Sequence, residues 1–339
     1  MARLLEGLPD DLAGEYKPKL SAVLLERFGA HSREPNEVLQ SCATALGLIG
    51  DNDADPVDVA IRRALLGSPH EDQQTEYFTW VALAQATGRM GRVVAPAGES
   101  LEATRGFLLG RLARRDPDSR AWAALSIGVL GAMLRGAGEG GRLDLTGELR
   151  SAFARSRSPS EVAACAVALG LLGDGSSSEA LVGRLGQIKD DEARGYLCVG
   201  LALMGAGDAV PEIQRIFERS RYRPLLSLQA ALALGKMGNG EQLEVLIQGL
   251  RDSASLSTQA SIATALSFLG DARSVEPLLG MLEDGSLPGV ARGLAAAALG
   301  NVAAPEDLTW NGGIGLGLNY RAATPTLHDQ DGLGILDLL

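Results

Sequence analysis

The chain has 339 residues and a net charge of −11, with 46% hydrophobic and only 4% aromatic residues. That acidity disfavours a duplex-nucleic-acid binder, which needs clustered positive charge to displace counterions. No apolar run approaches the roughly 18 residues of a membrane-spanning helix, and three scattered cysteines (Cys42, Cys165, Cys198) make neither a disulfide framework nor a zinc site.

Residues 1–34 read as a helical end cap, with Leu20, Val23, Leu24 and Phe28 on one face. Met1-Ala2-Arg3-Leu4-Leu5 meets Glu6 and Asp10 too soon for a signal peptide, which makes the cytoplasm the default compartment. Glu34-Pro35 restarts the chain with Pro at the first helical position. Asp55-Pro56 and Asp116-Pro117 each place a capping Asp before an N1 Pro. Ser158-Pro159-Ser160-Glu161 reads as a capping box, in which Ser158 accepts the N3 amide and Glu161 reaches back. Leu243, Leu246, Ile247 and Leu250 form one apolar stripe, and Val275, Leu278, Leu279 and Leu282 form its counterpart farther along. Val93-Val94-Ala95-Pro96 and Gly136 to Gly141 lengthen the early repeats. Residues 304–339, with Trp310, Tyr320 and many glycines, break the pattern. They read as an ordered cap on the last repeat or as a docking segment for another protein.

Between these ends one pattern returns eight times, most clearly as Ala231-Leu232-Ala233-Leu234-Gly235-Lys236-Met237-Gly238. The copies end at Gly50, Gly91, Gly131, Gly173, Gly205, Gly238, Gly270 and Ala303, roughly 40 residues apart at first and roughly 32 later. Seven before the end stands a small residue: Ala43, Ala84, Ala124, Ala166, Cys198, Ala231, Ala263, Ala296. Three before it another recurs, as Gly47, Gly88, Gly170 and Gly235. Four before it is a core residue such as Leu46, Ile127, Leu169 or Leu201. Offsets of three and four share a helical face. Small residues there let a neighbouring helix approach closely, and the closing Gly suits a left-handed helix stop.

Leu266-Ser267-Phe268-Leu269-Gly270-Asp271 followed by Val275, Leu278, Leu279 and Leu282 resembles a HEAT repeat of the phycobilisome-lyase-like type. Ala168-Leu169-Gly170-Leu171-Leu172-Gly173-Asp174 and Ala45-Leu46-Gly47-Leu48-Ile49-Gly50-Asp51 match the same pattern. The Arg that this family carries early in its second helix is present at Arg194 and Arg292, but Val162, Ser227 and Gln259 depart from it. The resemblance implies an all-α solenoid of about eight HEAT-like helical hairpins over residues 35–303, with a non-repeat cap at 304–339. It says little of function, since one scaffold serves many roles. Its name is shared with lyases that attach bilin pigments to proteins, but the repeats alone do not confer that activity.

The chain carries no recognisable catalytic constellation. His31, His70 and His328 are far apart in sequence, and neither a metalloprotease nor a nucleophile-elbow motif is present. Asp51-Asn52-Asp53-Ala54-Asp55 opens like a calcium loop, but Pro56 and Arg62 stand where Gly and Glu are needed. A solvated turn is the expectation. No metal, cofactor or catalytic residue is therefore assigned.

Two surfaces remain. On the second helices, Leu125, Val129, Val167, Leu171, Val199, Leu203, Leu232 and Phe268 occupy positions expected to face a concave side. They form either a groove for an apolar segment or a strip that the stack or the C-terminal segment buries. The turns joining the helices of a pair carry Arg114, Arg115, Arg155, Arg157, Arg219, Arg221 and Arg223, an edge suited to an acidic partner. The function these features imply is a non-catalytic scaffold that binds a protein or peptide. The alternatives are an accessory factor or lyase acting on a cofactor-bearing protein, and a self-assembling structural element.

Overall fold

A computed structural model describes residues 10–90, 98–141, 143–220, 222–237, 240–252, 258–259, 262–263, 265–266 and 271–303. The described residues form α-helices and short 3-10 turns, with no strand. They fall into two compact units, and the chain passes from the first to the second between Ala152 and Phe153. The first holds α1 (Asp10–Phe28), α2 (Asn36–Ile49), α3 (Pro56–Leu66), α4 (Gln73–Gly88), α5 (Gly98–Leu112) and α6 (Pro117–Gly136). Helix α7 (Thr146–Arg155) spans the division. The second holds α8 (Pro159–Leu172), α9 (Ser178–Leu185), α10 (Asp191–Leu203), α11 (Val210–Arg219), α12 (Pro224–Lys236), α13 (Gly240–Asp252), α14 (Val275–Glu283) and α15 (Gly289–Ala303).

The fold class is the expected all-α solenoid of helical hairpins. In the first unit α3 pairs with α4 and α5 with α6, while α2, α4 and α6 stack side by side. In the second, α9 pairs with α10, α11 with α12 and α14 with α15, while α8, α10 and α12 stack. The stack is built on the repeated small residues. Ala43, Ala84, Ala124, Ala166, Cys198, Ala231 and Ala263 are buried, as are Leu46, Thr87, Ile127, Leu169, Leu201, Leu234 and Leu266 four residues before each repeat end. Ala296 on α15 is exposed, as fits the last of the described helices.

The interior glycines mark the closest approaches. A Cβ on Gly47 would lie 2.6 Å from the Ala82 Cα. One on Gly170 would lie 2.5 Å from the Gly200 carbonyl oxygen, and one on Gly235 2.7 Å from that of Ala265. Gly in a helix costs roughly 0.5–1 kcal/mol relative to Ala. Here that loss allows backbone-to-backbone contact that no side chain could enter.

The termini depart from expectation in instructive places. Gly173 (φ 66°) and Gly205 (φ 72°) are left-handed stops, as predicted. Each makes the paired closing bonds of a Schellman end: Gly173 N–H to Gly170 and Asp174 N–H to Leu169, then Gly205 to Ala202 and Ala206 to Leu201. Gly50 is instead extended, and Gly131 lies inside α6, which runs on to Gly136. Gly91, Gly238 and Gly270 lie outside the described residues, as do Val93–Pro96 and 304–339.

Asp55 and Asp116 cap their helices as expected, accepting from Val57 N–H at 2.7 Å and Ser119 N–H at 2.8 Å. Ser158 makes no such bond, because its hydroxyl lies 2.9 Å from that of Ser160. Pro35 stands one residue before α2 rather than at its first position. In α1, Val23 is exposed. Phe28 is buried and Leu20 and Leu24 are half-buried, as expected, and buried Ser21 and half-buried Lys17, ion-paired to Asp51 and Asp58, join them.

Candidate functional site

The inner apolar row is packed, not open. Val167 is 1% exposed and Leu171 7%, and Leu125, Val129 and Val199 are also buried. Leu203 and Leu232 are half-buried, and Phe268 lies outside the described residues. In α8 every residue from Glu161 to Leu171 is buried, the mark of a helix enclosed on all sides rather than on one stripe. The Gly170–Gly200 approach draws α8 and α10 together.

Of the arginine edge, Arg114, Arg115, Arg157 and Arg223 lie between helices, Arg155 closes α7 and Arg219 closes α11. In the first unit Arg114 is bound by Glu76, at 3.1 and 3.5 Å, and lies 5.4 Å from the Trp80 ring centre. Arg115 is exposed, and its carbonyl accepts from Arg120 at 2.6 Å. In the second unit Arg155, Arg157 and Arg219 are exposed and make no ion pair among the described residues. Arg223 pairs with Asp191 at 2.9 Å, and Arg221 lies outside the described residues.

The sequence reading missed two residues on this edge. Tyr222 is 96% exposed and Leu225 62%, on the turn from α11 to α12. The signal was an aromatic inside Arg219-Ser220-Arg221-Tyr222-Arg223, which a search for charge alone passes over. Pro224 follows at once and starts α12, so the turn is held short.

The reading also missed an arginine–aromatic group behind Arg114. Arg111 lies 4.5 Å from the Phe107 ring centre, one helical turn back, and 5.6 Å from Trp80. Burial, then repulsion from Arg114, lowers the Arg111 pKa. Beside it Tyr77 stacks on Trp122 at 5.3 Å, and its hydroxyl donates to Asp116 at 3.3 Å. Burial, together with the Asp116 charge, raises the Tyr77 pKa. Burial would raise that of Asp116, but hydrogen bonds from Ser119 outweigh it and hold the carboxyl below its ordinary value.

The turn after α2 is solvated only in part: Ala54 and the capping Asp55 are exposed, as expected, but its first half is not. Asn52, Asp53 and Asp58 are buried, and the carboxylates of Asp51, Asp53 and Asp58 bring one oxygen each within 4.8 Å of the others. The Lys17 ammonium reaches in from α1, 2.7 Å from Asp58 and 3.0 Å from Asp51. Arg62 donates to the carbonyls of Asp51 and Asp53, the latter at 2.7 Å. Burial, reinforced by the Asp51 charge, pushes the Asp58 carboxyl up to about 7 despite Lys17. The lysine stands where a cation would, so the group acts as a clasp that fastens α1 to the first hairpin. The three cysteines are buried thiols, and burial pushes Cys198 up to about 12.

No protein-family model matches the chain, and no curated protein sequence matches it. A solved structure, the complex of CpcE and CpcF of phycocyanin lyase from Nostoc sp. PCC7120, is similar to it. The identity is 18% and the TM-score 0.43, over 70% of this chain and 93% of that one. Among the described residues no helix is long and apolar enough to cross a membrane.

Proposed function

We propose that the chain is a protein-binding scaffold whose second unit presents the turn from α11 to α12 to an acidic partner. The observation that carries this reading is the exposure of Tyr222 and Leu225 between Arg219 and Arg223. Leaving two large apolar side chains in water gains nothing for the fold. Tyr and Arg are also the residue types over-represented where interfaces concentrate their binding energy. Arg155 and Arg157, on the turn from α7 to α8, extend the same chemistry. The inner apolar row serves packing in this reading and is not the contact surface.

The test is binding of a defined acidic, aromatic-containing peptide library to the full chain and to a Tyr222→Ser, Arg219→Ser variant. Both side chains are exposed, so the variant keeps its fold. Its affinity for bound peptides falls at least tenfold, and wild-type binding weakens as salt rises. Equal binding by the two proteins refutes the reading. A pigment or other cofactor carried through purification from the native source would favour the accessory-factor or lyase alternative instead.

A further inference from the structure

We propose that the N-terminal half of α1 is a releasable end cap, held on the first hairpin while the buried cluster of Asp51, Asp53 and Asp58 keeps a proton and loosened when a rise in pH removes it. The proposal is independent of the scaffold reading and concerns the other unit.

A helix at the end of a stack has a stacked neighbour on one side only, so it can lift without breaking the stack. α1 rests on α2 and α3, and its hold is uneven along its length. At the C-terminal end Phe28 is buried, and its ring lies edge-on to His70 at 4.8 Å. The Phe28 carbonyl lies 2.7 Å from His70 Nε2. A carbonyl only accepts, so Nε2 carries a hydrogen, as it can in the neutral and the charged ring alike. That end stays pinned as pH changes. Toward the N-terminus, none of the residues from Gly14 to Leu20 is buried. Pro18 stands inside the helix next to Lys17, where it removes a helical hydrogen bond. The specific hold on this half is Lys17.

The clasp that Lys17 enters is short of positive charge. Its ammonium lies 2.7 Å from Asp58 and 3.0 Å from Asp51, and the carboxylates of Asp51, Asp53 and Asp58 crowd within 4.8 Å of one another. The other charged groups around the turn are turned elsewhere. Arg62, on α3, donates to the carbonyls of Asp51 and Asp53. Arg89, whose own carbonyl accepts from Asn52 N–H, donates to the Leu48 carbonyl. Lys19, on α1, pairs with Glu15, and Asp55 caps α3. One ammonium thus faces three acids. Desolvated like charges this close do not all ionise. Asp58, with its side chain 1% exposed, is the one that keeps a proton. Burial raises its pKa to about 7, outweighing the Lys17 hydrogen bond, and the Asp51 charge adds to the rise. Lifting α1 removes cover and lysine together and returns the carboxyl to its ordinary, lower value. The docked state therefore binds the extra proton. Its advantage is complete below the ordinary carboxylate pKa and is lost as pH rises through 7.

The experiment is hydrogen exchange of the full chain from pH 5 to pH 8, corrected for intrinsic amide rates and read peptide by peptide. Protection of the stretch from Gly14 to Leu20 should fall by about tenfold or more across that range. Peptides around Phe28 and from α8 should keep theirs. In Asp58→Asn, which has no proton to lose, protection of the same stretch should vary by less than about twofold. Constant protection in the wild type overturns the proposal. A rise with pH also overturns it, because ionised Asp58 would then be tightening its grip on Lys17. A parallel loss in α8 makes the effect one of overall stability and removes the cap. The wild-type profile decides these three outcomes even where the variant does not fold. A fall that persists in Asp58→Asn places the proton elsewhere and refutes the assignment.

Discussion

Gly170→Ala isolates the contact on which the second unit is built. The new methyl carbon would sit 2.5 Å from the Gly200 carbonyl oxygen and 2.8 Å from the Leu203 Cβ. Ordinary carbon contacts are about 3.5–4 Å, so α8 and α10 must part by about 1 Å. Both obstacles belong to backbone or to its first side-chain atom, and neither can rotate aside. Overpacking of this kind costs about 1–3 kcal/mol, while the better helix propensity of Ala returns about 1 kcal/mol. The net loss is about 1 kcal/mol, and at most about 2. For a body of this size that lowers the melting midpoint by about 2–4 °C. Gly106→Ala is the control: the same chemical change, in open space, stabilises by about 0.5–1 kcal/mol. Urea and thermal unfolding followed by far-ultraviolet circular dichroism compare the two. Shifts of the same sign and size would show that close approach at Gly170 is not what the repeat requires.

Three further outcomes follow from the packing and the charges. Leu234→Ala, at a fully buried position of α12, lowers stability by about 2–5 kcal/mol, whereas Leu225→Ala at the second residue of the same helix stays within about 0.5 kcal/mol of the parent. Denaturant midpoints check both. Asp58, faced by Lys17, Asp51 and Asp53, has a folded pKa of about 7, above the unfolded carboxylate value, so the native state holds the extra proton between them. Its contribution to stability is complete below the unfolded pKa and is lost as pH rises through 7. Wild-type stability should therefore fall from pH 5 to pH 8 relative to Asp58→Asn, which a pH series of denaturation curves measures. None of the three cysteines should react with a thiol reagent in the native protein, and all should react in denaturant, because the thiolate is the reactive form and burial suppresses it.

What the sequence made legible was whatever depends on short-range periodicity. The returning Ala–Leu–Gly spacing specifies which face of each second helix meets the next, and that face is buried where the spacing places it. Helix starts at Asp55 and Asp116 were equally readable, because a capping carboxylate acts on an amide two or three residues away. Features that depend on how far two distant elements close were not readable. The row from Leu125 to Val199 has the composition of either a groove lining or a packed seam, and only the spacing of neighbouring helices decides between them. The clasp of Lys17 with Asp51 and Asp58 joins residues 34 and 41 positions apart, so nothing in the local pattern of either partner announces it.

The same distinction separates the two kinds of glycine in this chain. In sequence, Gly170 and Gly106 both look like helix-weakening residues. In space one is filled by a neighbour's backbone and the other faces nothing. A glycine whose cost is offset by packing belongs to the scaffold and should resist substitution by even a methyl group. A glycine whose cost has no packing return should accept Ala with a gain in stability of about 0.5–1 kcal/mol.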